Sequence, residues 1–229
     1  MDAGLAQPPS NSRPRRKFKV QRSKYKVQGV TDTELVDAFI REIGKSEDQK
    51  LFRQFLPEGV APEDVAPLLT EPWHEEDPDV SPWAPWRPLR VQTPPDVLKA
   101  FYERVPGPLP SLYERLILTC HWGEVDLGEF RLLPNFPPAL DGLVSAIQND
   151  AFMFRVLSSH KLVQFGKGPD VDYDPVCFDL NQRSADGDCA IVKADHEEIL
   201  IHERLRVVGV LASSFRELVR RTIASGNPV

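Results

Sequence analysis

The apolar positions of the chain change their spacing several times, and each change marks an element. Leu35, Val36, Phe39, Ile40 and Ile43 recur at helical spacing. The preceding "TDTE", Thr31 to Glu34, has the form of a capping box, in which the hydroxyl accepts from the third amide while the glutamate reaches back. Gly44 is a natural stop. "SEDQ", Ser46 to Gln49, repeats the start signal ahead of Leu51, Phe52, Phe55 and Leu56, so the pattern predicts a second helix there and a third, short one over Pro62–Leu69. "TPPDVLKAFYERVPG" reads as a helix entered through proline. "LPSLYERLILTCHWG" reads as the next, with Leu112, Leu116 and Cys120 on one face. "EVDLGEFRLLP" alternates like a strand, and Asp141–Ala151 is helical again. "KLVQFG", "PVCFDL" and "CAIVKA" are short, rich in β-formers and bounded by Gly, Asp or Pro, so they read as strands. Arg206–Leu211 is a further strand candidate, and "SSFRELVRRTIAS" closes the pattern as an amphipathic helix. Helices precede, interrupt and follow the strands without βαβ alternation. The expectation is an α+β fold: a mostly antiparallel or mixed sheet of about five to six strands with helices packed on it, preceded by a helical N-terminal segment.

Composition adds boundaries to this picture. The 22 prolines among 229 residues are about twice the usual share and call for long connections. Seven of them, with three of the four tryptophans, fall in "EPWHEEDPDVSPWAPWRPLRVQTPP" from Glu71. Such proline density argues for an extended connection, with the Trp side chains pinning it to a surface. The net charge of −6 hides an asymmetry: residues 1–29 carry eight Lys/Arg and one Asp, and the rest is strongly acidic. Three segments are therefore expected: a basic, disordered tail over 1–30, short helices and the Pro/Trp-rich connection over 31–90, and an α+β domain over 91–225. The tail holds "KFKVQ" and "KYKVQ" seven residues apart, and is the one segment suited to nucleic acid. Its opening has no apolar h-region, so no signal peptide is expected, and no apolar run is long enough to span a bilayer. Three cysteines without a CxxC read as reduced thiols in a cytoplasmic protein.

Candidate chemistry concentrates in "DYDPVCFDLNQRSADGDCAIVKADHEEILI", Asp172 to Ile201, with six aspartates, two cysteines and one histidine. "DVDYDP" starts like a calcium loop, but Pro175 stands where glycine is needed and Asn181 where glutamate is needed. Cys177, Cys189, His196 and His202 lack zinc-ligand spacing. There is no G-x-S-x-G elbow, and "FGKGP" lacks the rest of a P-loop. The stretch is better explained as strand, turn, strand, with Gly187 free to adopt a positive φ and the acids in wet turns. No catalytic residue, metal or cofactor is expected. From Cys120 to Leu200 there are 14 Asp/Glu against six Lys/Arg, which repels nucleic acid and attracts a basic protein surface.

The order of motifs resembles the SUKH superfamily, which includes the SMI/KNR cell-wall-regulator-like domains. The resemblance runs from about Val91 to Ser225 and rests on Leu109-Pro110, Tyr113, Trp122-Gly123, Asp174-Pro175, Phe178-Asp179 and Ser214-Phe215 before Leu218. "HWGE" stands where that family has an Asn-Gly-Gly turn. The resemblance implies a non-enzymatic, protein-binding domain: an immunity protein that neutralises a toxin, for example a nuclease, or a regulatory scaffold. A small metal-dependent hydrolase is the alternative from another class. Glu124, Asp126, Asp172, Asp174 and Asp195, each at a strand end or turn, are the candidate partner-binding residues. The expected partner is a basic protein, such as a toxin domain.

Overall fold

The computed structural model describes residues 29–45, 49–75, 81–169 and 172–226. The chain divides into two compact units, Met1–Val30 and Thr31–Val229. Of the first, only residues 29 and 30 are described, so the expectation of a disordered basic tail lies outside the described residues.

The second unit opens with helix α1 (Asp32–Ile43), started by the capping box read from the sequence: Thr31 N–H donates to Glu34 Oε2 at 2.8 Å and Glu34 N–H to Thr31 Oγ1 at 3.3 Å. Next come strand β1 (Lys50–Phe52), a 3-10 turn over Arg53–Phe55, the short helix α2 (Pro62–Val65), β2 (Trp83–Pro85) and β3 (Leu89–Arg90). The helix expected over Leu51–Leu56 is thus a strand and a single turn. Leu51 is buried opposite Ala84 in an antiparallel β1–β2 pair, and that distant partner overrides the local spacing.

Helices α3 (Val97–Tyr102) and α4 (Ser111–Thr119) follow, then β4 (Cys120–His121), β5 (Val125–Asp126) and β6 (Arg131–Leu132). The single strand expected over 124–134 is a hairpin, because Gly128 takes φ 81° and donates to Asp126 Oδ1 at 2.7 Å. The remaining elements are α5 (Asp141–Gln148), α6 (Ala151–Ser159), β7 (Leu162–Lys167), β8 (Pro175–Arg183), β9 (Cys189–Ala194), α7 (His196–His202), β10 (Val207–Ala212) and α8 (Phe215–Ser225). Helices α6 and α7 have no counterpart in the sequence reading. Both are started by aspartates, Asp150 accepting from Met153 N–H and Asp195 from Glu198 N–H.

Six strands form one antiparallel sheet in the order β10-β9-β8-β7-β6-β5, so the fold is α+β. Alternation along the strands sorts their side chains into two cores. Val163, Phe165, Val176, Phe178 and Ile191 face a core shared with α1, α4, α5 and α8. Leu162, Cys177, Val192 and Ala194 face a smaller core closed by α6 and by Ile199 of α7. Aromatic rings knit the first core together. Phe165 stacks on Phe178 at 4.2 Å, Tyr113 meets Phe178 edge-on at 4.9 Å, and Phe215 meets Phe39 of α1 at 6.3 Å.

The first core runs without a break across residue 90. Trp86, from the proline-rich connection, is fully buried in it against Gly123. Gly123 makes this possible, since a Cβ there would lie 2.8 Å from Trp86 Cε2. Among the described residues, no helix is long and apolar enough to cross a membrane.

Candidate functional site

The antiparallel order brings the end of β5, the start of β6, the end of β7, the start of β8 and the end of β9 to one side of the sheet. Four of the five candidate carboxylates are ion-paired at this end. Glu124 reaches Lys167 at 2.5 Å and Arg131 at 3.5 Å. Asp172 pairs with Lys193 and accepts the Asp174 N–H at 3.0 Å. Asp174 accepts the His196 N–H at 3.0 Å, faces His196 Nδ1 at 2.8 Å, and lies 3.5 Å from Lys193. Asp195 caps α7 and meets Arg206 at 3.3 Å. Asp126 holds the hairpin turn through Gly128 and makes no ion pair among the described residues.

These residues are less exposed than turn positions lead one to expect. Only Glu124 is exposed; the other four are half-buried. The reason is the cations that interleave with them, which the sequence reading left out. Arg131 and Lys167 are cross-strand neighbours in β6 and β7, and Lys193 lies in β9. Arg131 also donates from Nε to the Gly168 carbonyl at 3.0 Å, tying β6 to the loop before β8. Gly168 gives that loop its close return, since a Cβ there would run into the Asp172 carboxylate. Burial by itself would raise the Asp172 carboxyl, but the hydrogen bonds from Lys193 and from the Asp174 amide hold it below the ordinary carboxylate range. Burial likewise opposes the charge on Lys193, and its bond to Asp172 outweighs that and raises it. A lysine inside the otherwise apolar "CAIVKA" is the signal that could have pointed here.

Tyr173 sits in the middle of this arrangement and is 58% exposed. The Arg131 guanidinium lies 5.8 Å from its ring centre, and the His196 ring meets it edge-on at 6.2 Å. The site is therefore an exposed aromatic ring within a set of carboxylates already paired to the chain's own cations. It presents fixed acceptors and one apolar face.

Two acids of this stretch are buried: Asp179, expected on a strand face, and Asp188, expected in a wet turn. Asp179 accepts from the Asn181 N–H and side-chain amide, each at 3.0 Å, and from Gln182. Asp188 accepts backbone N–H groups of Cys189, Phe215 and Arg216. Both serve the fold, and neither faces the Tyr173 surface. Cys120, Cys177 and Cys189 are buried free thiols; burial pushes Cys120 and Cys189 up to about 12, and Cys177 higher still. Among the described residues, no three His, Cys, Asp or Glu side chains come together as a metal-holding group.

No family model, no curated protein and no solved structure matches the chain.

Proposed function

We propose that this chain is a non-enzymatic, cytoplasmic protein-binding domain whose partner is a basic protein, of the kind a nuclease toxin presents. The observation that carries the reading is Tyr173, exposed between Arg131, which pairs with Glu124, and His196, which pairs with Asp174. Tyrosine and arginine at the centre of a polar surface are the usual anchors of protein interfaces. Carboxylates already held by salt bridges lose little freedom on binding, so a partner cation meets preorganised acceptors. The overall charge of −6 favours approach by a basic surface. The resemblance to SUKH domains supports the same reading and gives it the form of toxin neutralisation. A regulatory scaffold is the second reading; Phe39 and Trp86 are buried in the core, so neither ring is free to serve it.

The test is titration of the full chain against a panel of purified, catalytically inactive nuclease-toxin domains of basic charge. At least one is expected to bind, and binding is expected to weaken in Tyr173→Ala. Binding to none of them would overturn the toxin assignment. A parallel titration with Mg²⁺ and Zn²⁺ addresses the hydrolase alternative: tight, stoichiometric uptake lost in Asp172→Asn or Asp174→Asn would replace the binding reading with a metal site.

A further inference from the structure

Strand β10 forms the opposite edge of the six-stranded sheet. Strand β10 pairs with β9 on one side, and among the described residues nothing pairs with its other side. Its register against β9 is irregular, which places Val207 opposite Ala194 and Val210 opposite Val192. Cross-strand partners share a face, so both valines lie on the face where α6 and α7 pack. Those helices leave them bare: Val207, Val208 and Val210 are all exposed, Val210 by 63%. Helix α7 adds Leu200 and Ile201, the latter 69% exposed. Five of the eight exposed large apolar side chains among the described residues thus fall between residues 200 and 210. Scattered singly they would need no explanation, but gathered on one edge they mark a contact surface.

We propose that this edge is a homodimer interface, in which β10 of a second copy adds antiparallel to β10 about a two-fold axis at Gly209. Register and charge are the reasons for choosing a second copy as the occupant. With Gly209 on the axis, Val208 of each copy faces Val210 of the other, and one apolar patch covers itself. Neither charge nor proline interrupts Val207–Ala212, so two of the usual guards of an edge strand are missing. Just outside that span, Arg206 of one copy falls opposite Ala212 of the other. There, Ser213 holds the Glu217 carboxylate through its N–H at 2.9 Å and through its hydroxyl. Arg206 is largely exposed and Glu217 is exposed, so opposite charges meet at both ends of the strand pair. The interface does not rest on the partner-binding reading given above.

Sedimentation velocity of the full chain across the micromolar range tests it. The expected species has twice the monomer mass and dissociates on dilution, more readily at high salt. Val210→Lys puts a charge into the self-contact at a side chain that is already 63% exposed. It is expected to yield a monomer with an unchanged circular dichroism spectrum. Arg206→Glu is expected to raise the dissociation constant about tenfold or more. A chain that stays monomeric throughout, a dimer that survives Val210→Lys, or open-ended growth with concentration would each overturn the proposal.

Discussion

The Asp188 carboxylate accepts the backbone N–H of Phe215 at 2.9 Å, across 27 residues of chain. Its second oxygen accepts the Arg216 N–H at 3.1 Å, so one buried side chain ties the turn before β9 to the start of α8. Ser214 supplies the local cap by accepting from Glu217 N–H at 3.0 Å, and the helix start is satisfied from two directions.

Replacing Asp188 should therefore cost more than an ordinary cap. Asp188→Ala leaves amide groups of α8 without an acceptor in a buried place. A loss of about 2–4 kcal/mol is expected, combining a capping term with unsatisfied donors. Asp188→Asn keeps one carbonyl oxygen and should lose roughly half as much. Urea unfolding of the two variants checks the order; an Asn variant as damaged as the Ala variant would contradict it.

Trp122 is a core residue before it is anything else. It is fully buried, and its Nε1 donates to the Leu133 carbonyl at 2.9 Å. Trp122→Ala should cost about 3–5 kcal/mol. Gly123→Ala, next to it, should cost about 1–3 kcal/mol by forcing a Cβ against the Trp86 ring. Thermal melts read both. A Trp122→Ala chain with wild-type melting and lost partner binding would place this residue in recognition instead.

Acid should loosen the sheet end. Asp172 is held below its ordinary value against the opposing effect of burial, by Lys193 and the Asp174 amide, and Asp32 is lowered by its bond to Arg216 of α8 at 2.7 Å. A carboxyl lowered in the folded state contributes stability above its unfolded value of about 3.9, and loses it as pH falls through the folded value. Asp172→Asn should then be less stable than wild type at neutral pH, with the two urea midpoints converging under acid. Parallel midpoint curves from neutral to acid pH would show that the Lys193 pair contributes nothing.

Tyr173 should be silent in stability and prominent in binding. Its ring is mostly solvent-facing, so Tyr173→Ala is expected to move stability by no more than about 0.5 kcal/mol. Loss of an interface anchor should weaken a bound toxin domain by about 2 kcal/mol or more. Neutralising two or three of Glu124, Asp126, Asp172, Asp174 and Asp195 should slow association, and added salt should slow it too, since screening over about 10 Å at 0.1 M removes the steering. Stopped-flow association rates insensitive to both would exclude the carboxylates from recognition.

Local spacing was enough to read α1 and its cap, because Thr31 and Glu34 exchange hydrogen bonds within one turn. It was also enough to read "PVCFDL" as a strand, whose alternation puts Cys177 on the face opposite Val176 and Phe178 whatever it packs against. The α+β class follows from the same two periods. Leu51 and Phe52 were illegible, because whether they form strand or helix depends on Ala84 and Trp83, some 30 residues on. The candidate carboxylates could be named from the sequence, but their surroundings could not. Arg131, Lys167 and Lys193 arrive beside them through sheet register, which pairs Arg131 with Lys167 and Lys193 with Val176. Asp179 and Asp188 show the same limit in reverse. In a window of sequence Asp179 is a strand acid and Asp188 a turn acid, and only the arrival of α8 and of the Asn181 and Gln182 donors buries them with partners. Charge along a chain is a local property, whereas its neutralisation depends on which strands lie side by side, and that is settled by burying both faces of the sheet at once.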